Sequence, residues 1–406
     1  MNNSFFTKRH FAQIIKLKQR YNFIKNFISI ETLSGFILFA VTVFAVIIAN
    51  SSYSDFYFDI LKSPISIGFG ENSFSMSTLH WINDVLMAIF FLVVGLEIKR
   101  DMLIGELSSV KKASFPIIAA IGGMIIPALI YLFLNKEYPI GFGIPMATDI
   151  AFALGILLLL GNRVSMSIKL FLVTLAVVDD LGAIVVVAVF YTSEINYLFF
   201  IHAFVVYSLL LLLNYFNVKK LLPYLVLGLF LWIFVHKIGI HSTIAGVLLA
   251  FTIPLKDKKI KDIKVEENSS PLEKLEHALH NFSAFLIMPL FALANAGVII
   301  DFSSVIEHKM IVLGVALGLL IGKPIGIFLF TYIATKLKIA AKPANVTWSE
   351  IVAVGFLGGI GFTMSIFISN LAFSDERIVS AVKIGIFASS ISAAIIGITL
   401  LILKRK

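Results

Sequence analysis

The chain has 406 residues, 59% hydrophobic and 14% charged, with a formal charge of +9 and no cysteine. A water-soluble domain is about one-quarter charged, and one core cannot bury this much apolar surface, so the solvent of this chain is lipid. The lack of cysteine excludes disulfides, thiolate metal sites and cysteine nucleophiles. No aromatic platform with interleaved basic residues suggests nucleic acid.

A bilayer-spanning helix needs roughly 20 mostly apolar residues. After a basic tail, 1–29, twelve such runs follow: 30–50, 79–98, 115–134, 141–160, 168–191, 197–216, 221–236, 240–255, 275–300, 309–335, 349–372 and 378–403. None alternates with period two, so a membrane barrel is excluded, and helix is what satisfies the backbone in hydrocarbon. The expected fold is all-α and polytopic, with one transmembrane domain over 30–403 and a short end at 404–406. Between the first two runs, residues 51–78 contain SPISIGFGENSFSMS, whose alternation around Gly68 and Gly70 predicts a small β-hairpin. Residues 256–274 are a charged linker that divides the runs eight and four. Asn268 and Asn345 fall in N-x-[ST] matches on the inner side and are read as chance.

Lysine and arginine set the orientation. With the N-terminus inside, the inner segments hold 26 basic residues and the outer ones 5, namely Lys62, Lys136, Lys237, Lys309 and Arg377. Both termini are then cytoplasmic and the hairpin is outside. The basic charge suits a membrane surface.

A charged residue at mid-bilayer costs about 2.5–3.5 kcal/mol, so it needs a partner or a task. Asp179 and Asp180 are adjacent near the centre of the fifth run, LFLVTLAVVDDLGAIVVVAVF. Neighbours on a helix point about 100° apart. One is then expected to be held by a cation and the other to bind ions or protons; structural pairing accounts for one of them but hardly both. Lys323, in LLIGKPIGIF, is the basic residue set deep in a span. An ion pair with an aspartate and direct proton carriage both fit it.

Asp149 and Thr148 lie in the fourth run, GFGIPMATDIAFALG, where Pro145 should break the helix. The eleventh run, VGFLGGIGFTMSIF, carries a matching interruption at Gly355, Gly358, Gly359 and Gly361. Close packing of small residues is the plain explanation for an isolated glycine cluster. Here each interruption lies in the middle span of three, within repeats expected at about 115–191 and 309–403. That arrangement predicts an inverted-repeat transporter with a site at mid-membrane. Broken ends expose backbone dipoles, which Asp149 can offset at N-termini and Lys323 at C-termini. Asp179, Asp180, Asp149 and Thr148 form an oxygen-only donor set suited to hard cations such as Na⁺ or Li⁺. Carboxylates also take protons, so a site that holds one or the other exchanges them by competition.

The stretches INDVLMAIFFLVVGLEIKRD, PMATDIAFALG, VVDDLGAI, GIHSTIAGV, LEHALHNFSAFLIMPLFALANAGV, IGKPIGIF and GGIGFTMSIFI resemble those of the NhaA Na⁺/H⁺ antiporter family. The likeness runs from the second span to the eleventh. It implies that Asp180 is the main ion- and proton-binding carboxylate, that Asp179 pairs with Lys323 in the closed resting state, and that Thr148 and Asp149 sit at the unwound crossing. Asp84 matches an acidic residue of the second span, and His241 a histidine at the outer end of the eighth, where packing is its expected role. Glu97 matches the cytoplasmic mouth, where members gather pH-responsive groups. Asp101, four residues on, shares its helix face, and stands where many members carry Glu. Glu276, His277 and His280 open the ninth span; histidine titrates near neutrality, so pH sensing fits, with interfacial hydrogen bonding as the alternative. The resemblance further implies electrogenic exchange, two protons in for each sodium out, closed at acidic pH, without a cofactor. It implies a bacterial inner membrane and often a homodimer joined through the 51–78 hairpin. The basic tail is longer than usual in the family. A sodium-coupled symporter, a cation channel and an intramembrane enzyme are the competing functions. No continuous polar pore and no nucleophile–base arrangement supports the latter two.

Overall fold

The computed structural model describes residues 33–67, 74–192, 195–255 and 270–403. The tail 1–29, the hairpin tip around Gly68 and Gly70, the linker as far as 269 and residues 404–406 lie outside the described residues.

The chain begins with α1 (Leu33–Ala49) and turns by 110° into the short α2 (Ser54–Lys62). Asn50 makes that turn and fastens it, its side chain donating to the carbonyl of Val298 at 2.8 Å and accepting from the N–H of Ile300 at 2.9 Å. Strands β1 (Pro64–Ile67) and β2 (Phe74–Ser77) follow, antiparallel, in the register Pro64 to Ser77. The two strands pair on either side of the position where the sequence placed a hairpin turn.

Then come α3 (Thr78–Leu103), α4 (Val110–Leu134), a 3₁₀ stretch at Pro139–Met146, α5 (Ile150–Leu159), α6 (Met166–Phe190), α7 (Tyr197–Tyr215), α8 (Leu221–Ile238) and α9 (Ile244–Thr252). After the linker the chain continues with α10 (Pro271–Ala296), α11 (Phe302–Glu307), α12 (Lys309–Lys336), α13 (Trp348–Gly358), α14 (Phe362–Ala372) and α15 (Glu376–Leu403).

Among the described residues, nine helices are long and apolar enough to cross a membrane, or up to eleven if each bent pair is one span. The run expected at 240–255 is the one missing from that count. Gly239, at φ 95°, takes the left-handed conformation that ends α8. The α9 that follows has nine residues, about 14 Å of rise. The linker is also shorter than expected. Ser270 and Glu273 form a capping box that starts α10 at Pro271, so 271–274 is helical.

The tightest helix pair is α4 with α12. Gly122 and Gly326 lie backbone to backbone there, and a Cβ on Gly322 would meet Cα of Pro127 at 2.8 Å. Small residues allow that approach, which brings Lys323 into the core. Three π-helical turns interrupt the long helices, at Ile82–Leu86, Ser283–Ile287 and Gly318–Gly322. Two have a visible cause. Pro289 and Pro324 lie two residues past the ends of these turns, and a proline lacks an N–H and crowds the carbonyl four residues back. A widened turn relieves both problems.

Candidate functional site

Two chain breaks meet at the centre of the bundle. The fourth run breaks where expected: the 3₁₀ stretch holding Pro145 ends at Met146, and α5 starts at Ile150. The eleventh run breaks between α13 and α14, which are bent 48° from each other. The breaks are tied reciprocally. The N–H of Asp149 donates to the carbonyl of Ile360 at 2.7 Å, and the hydroxyl of Ser365 donates to the carbonyl of Ile144 at 2.8 Å.

Asp149 caps both half-helices. Its Oδ1 accepts from the N–H of Phe152 at 3.1 Å, at the start of α5. Its Oδ2 accepts from the N–H of Thr363 at 3.0 Å and from the Thr363 hydroxyl, at the start of α14. One negative charge thus answers two helix N-termini, and the side chain is 1% exposed.

The opposite polarity is answered beside it. Lys323 is fully buried; its Nζ donates to Asp179 Oδ2 and, at 2.5 Å, to the hydroxyl of Thr148. That hydroxyl lies 2.7 Å from Asp179 Oδ2 and 2.8 Å from the carbonyl of Gly358, which the end of α13 leaves without a helical partner. A hydroxyl has one proton, so with Lys323 donating to it, Thr148 supplies either Asp179 or Gly358 at any moment. The other oxygen of Asp179, Oδ1, is buried and has no hydrogen bond. A Cβ on Gly359 or Gly361 would strike Leu319 or Ser365, whereas Gly358 has space for one.

Asp180, on the next face of α6, has no hydrogen-bonding or ion-pairing partner among the described residues. It lines a cavity of about 50 Å³ with Asp149, Val94, Ser283, Met288 and Met364, and the same cavity reaches Glu97 and His280. Asp179 and Asp180 are thus adjacent in sequence and unlike in setting, one locked to a cation and the other facing open space.

Glu97 and His280 meet at that mouth, with Nδ1 3.2 Å from Oε1. Beside them Arg100 binds Glu276 and lies 3.2 Å from Asp101. His277 lies on the same helix as Glu276 and His280. Lys99 donates to the carbonyls of Phe251 and Ile253 at 2.7 and 2.6 Å, closing the C-terminal end of α9. Asp301, outside the spans, is held at about 2 by hydrogen bonds from Ser303 and Ser304, so it stays ionised near neutrality and senses no physiological pH.

Asp84 and His241 lie well away, thirteen residues from Glu97 along α3 in the case of Asp84, roughly 20 Å. Asp84 is 3.5 Å from His236 Nδ1 and 3.6 Å from His241 Nε2. Among the described residues, no three His, Asp or Glu side chains converge as a metal centre. Sequence reasoning missed Thr363, the second partner of Asp149, and treated Arg100 as one of the inner positive charges. Thr363 carried a signal, a hydroxyl residue two positions after the last glycine of the break, in the first turn of the helix that follows.

A buried carboxylate beside a narrow cavity, a second carboxylate locked to lysine, and two broken helices crossing in an apolar bundle together define a membrane transporter of small cations. The family model described as Na⁺/H⁺ antiporter 1 matches residues 25–401. The Na⁺/H⁺ antiporter NhaA 2 of Aliarcobacter butzleri is 72% identical, over 96% of this chain and 99% of that protein. The Na⁺/H⁺ antiporter NhaA of Helicobacter pylori strain HPAG1 is 50% identical, over 92% and 94%. The solved sodium proton antiporter MjNhaP1 of Methanocaldococcus jannaschii aligns over 93% of this chain and 97% of its own, at 12% identity and a TM-score of 0.49. The chain belongs to the NhaA family of Na⁺/H⁺ antiporters, and Na⁺ and H⁺ are the ions it carries.

Proposed function

We propose that Asp180 is the residue at which Na⁺ or Li⁺ leaving the cytoplasm and protons entering it replace one another, and that exchange is electrogenic, two protons for one sodium. The observation that carries this reading is the asymmetry of the carboxylate pair. Asp180 faces the cavity without a partner, while Asp179 is neutralised by Lys323. An ion that takes oxygen from both aspartates releases Lys323 from Asp179. Two protonatable groups then answer one monovalent ion. Thr148 is placed to add a hydroxyl oxygen, and Asp149 holds the crossing in shape through its caps on α5 and α14.

Twelve crossings, with α9 as the eighth and both termini cytoplasmic, fit the excess of inner lysine and arginine. The mouth at Glu97 then opens to the cytoplasm of a bacterial inner membrane. Glu97, Asp101, Glu276, His277 and His280, gathered around Arg100, set the pH response there. The α7 face, 17% buried, meets lipid. Two copies pair through the hairpin at 51–78, and the repeats over 115–191 and 309–403 rock around the site.

Everted vesicles holding a pH gradient test the site. Added Na⁺ should dissipate the gradient, and Asp180→Asn should abolish the response while the variant remains folded in the membrane. Lys323→Ala, run beside it, should lower activity, and an imposed membrane potential should change the wild-type rate. Exchange retained by Asp180→Asn at any pH from mildly acidic to alkaline sinks the assignment.

A further inference from the structure

The end of the bundle opposite Glu97 is sealed by a layered closure. Three carboxamides meet there, from Asn83 in the π turn of α3, Asn295 in the last turn of α10 and Asn370 near the end of α14. Asn295 Oδ1 accepts from Asn83 Nδ2 at 3.2 Å and from Asn370 Nδ2 at 2.7 Å. Its Nδ2 donates to Asn83 Oδ1 at 2.7 Å and to the carbonyl of Phe291 at 3.0 Å. A carboxamide offers two protons and two acceptor positions, and Asn295 uses all four.

The same three helices carry a second layer beneath it. Phe91, Phe291 and Phe367 are buried, with ring centroids 5.7 Å apart for Phe91 and Phe367 and 6.1 Å for Phe291 and Phe367. A turn deeper, Met288 and Met364 line the cavity of Asp180. On α10 and α14 the order is therefore the same: cavity methionine, aromatic ring, asparagine, one turn apart. α3 runs the other way and shows it reversed, Asn83 first, then Phe91, then Val94 and Glu97 at the cavity.

We propose that the Asn83–Asn295–Asn370 trio is the latch of the outer gate, which must part each time the ion leaves Asp180 toward the outside. The inference rests on the proposed orientation and site. Hydrogen bonds between helices in a membrane are individually weak, and water can replace them once the gate parts. α10 and α14 also carry a π turn or a chain break at the level of the site, at Ser283–Ile287 and 359–361, and the π turn of α3, Ile82–Leu86, lies at the trio itself. Each can swing one end without dragging the other.

The chain has no cysteine, so a single Met364→Cys reports on the cavity. In right-side-out vesicles, a membrane-impermeant thiol reagent added outside should label it slowly. Adding Asn295→Leu, which keeps the branching and the four side-chain heavy atoms but makes no hydrogen bonds, should speed labelling about tenfold, the population shift that two or three such bonds are worth. Asn370→Leu, which removes one bond, should speed it less. Unchanged labelling in the Asn295→Leu background overturns the latch. Labelling needs no ion exchange, so an Asp180→Asn background should show the same increase, which separates failure of the latch from failure of the carboxylate assignment. As a second measurement, Asn83→Cys with Asn295→Cys, joined by a short bis-methanethiosulfonate cross-linker that forms a disulfide with each thiol, should stop Na⁺/H⁺ exchange until reductant cleaves those disulfides. Exchange at the uncross-linked rate while joined overturns the proposal equally.

Discussion

Asp149 and Asp179 show how burial assigns different work to like side chains. Asp149 has both oxygens committed to the starts of α5 and α14, and its hydrogen bonds are charge-assisted, the stronger kind. Asp149→Asn keeps the shape but turns one acceptor into a donor facing N–H groups. We expect a loss of about 2 kcal/mol, seen as a lower melting temperature in detergent. An unchanged melting temperature would show that the caps do not hold the crossing. Breaking the buried Asp179–Lys323 pair from one side leaves an uncompensated charge, at about 3–5 kcal/mol, so Lys323→Ala has a stability cost as well as a transport cost. Asp149, Asp179, Asp180 and Lys323 stood out in the sequence because charge in an apolar run has few explanations. Which aspartate is locked and which is open came from the family resemblance and not from the residues alone, because it depends on how far α6 is rotated against α12.

At the scale of the element, breaks and widened turns make the site. The break at Pro145 and the glycine interruption at 358–361 could be read directly, since both residue types disfavour continued helix for stated steric reasons. The π turns were less visible, although Pro289 and Pro324 mark two of them. No proline accompanies the third, at Ile82–Leu86, and nothing local predicts it. The close crossing of α4 and α12 needs atoms on both helices, so Gly122 and Gly326 could be noted only as small residues. It yields a paired expectation. Gly326→Ala places a methyl against the backbone of Gly122 and should destabilise by about 1–3 kcal/mol. Gly358→Ala, with no neighbour closer than 3.4 Å, should stay within about 1 kcal/mol. Equal melting temperatures for the two variants would mean that the glycine contact is not what sets the crossing.

For the molecule as a whole, composition alone placed the chain in lipid; nine of the twelve expected runs are long apolar helices and two more count if each bent pair is one span, while α9 is too short to count by length. The two strands of the expected hairpin pair because their alternation is local. Its proposed role in joining two copies is not a local property. Deleting 65–76 should convert the proposed dimer to monomer in a native mass measurement, and a dimer that survives the deletion would place the interface elsewhere. The same strands follow α2, whose Tyr57 hydroxyl donates to the carbonyl of Leu293 at 2.5 Å, so α2 is anchored on the helix end that carries Asn295. The cavity of about 50 Å³ at Asp180 has one further consequence. A single water needs roughly 10–15 Å³ of such space, so the chamber admits about three to five molecules and no fully hydrated ion. Sodium must shed most of its water shell before it reaches the carboxylate, and alkali ions are then told apart by how well protein oxygens replace the water each has lost.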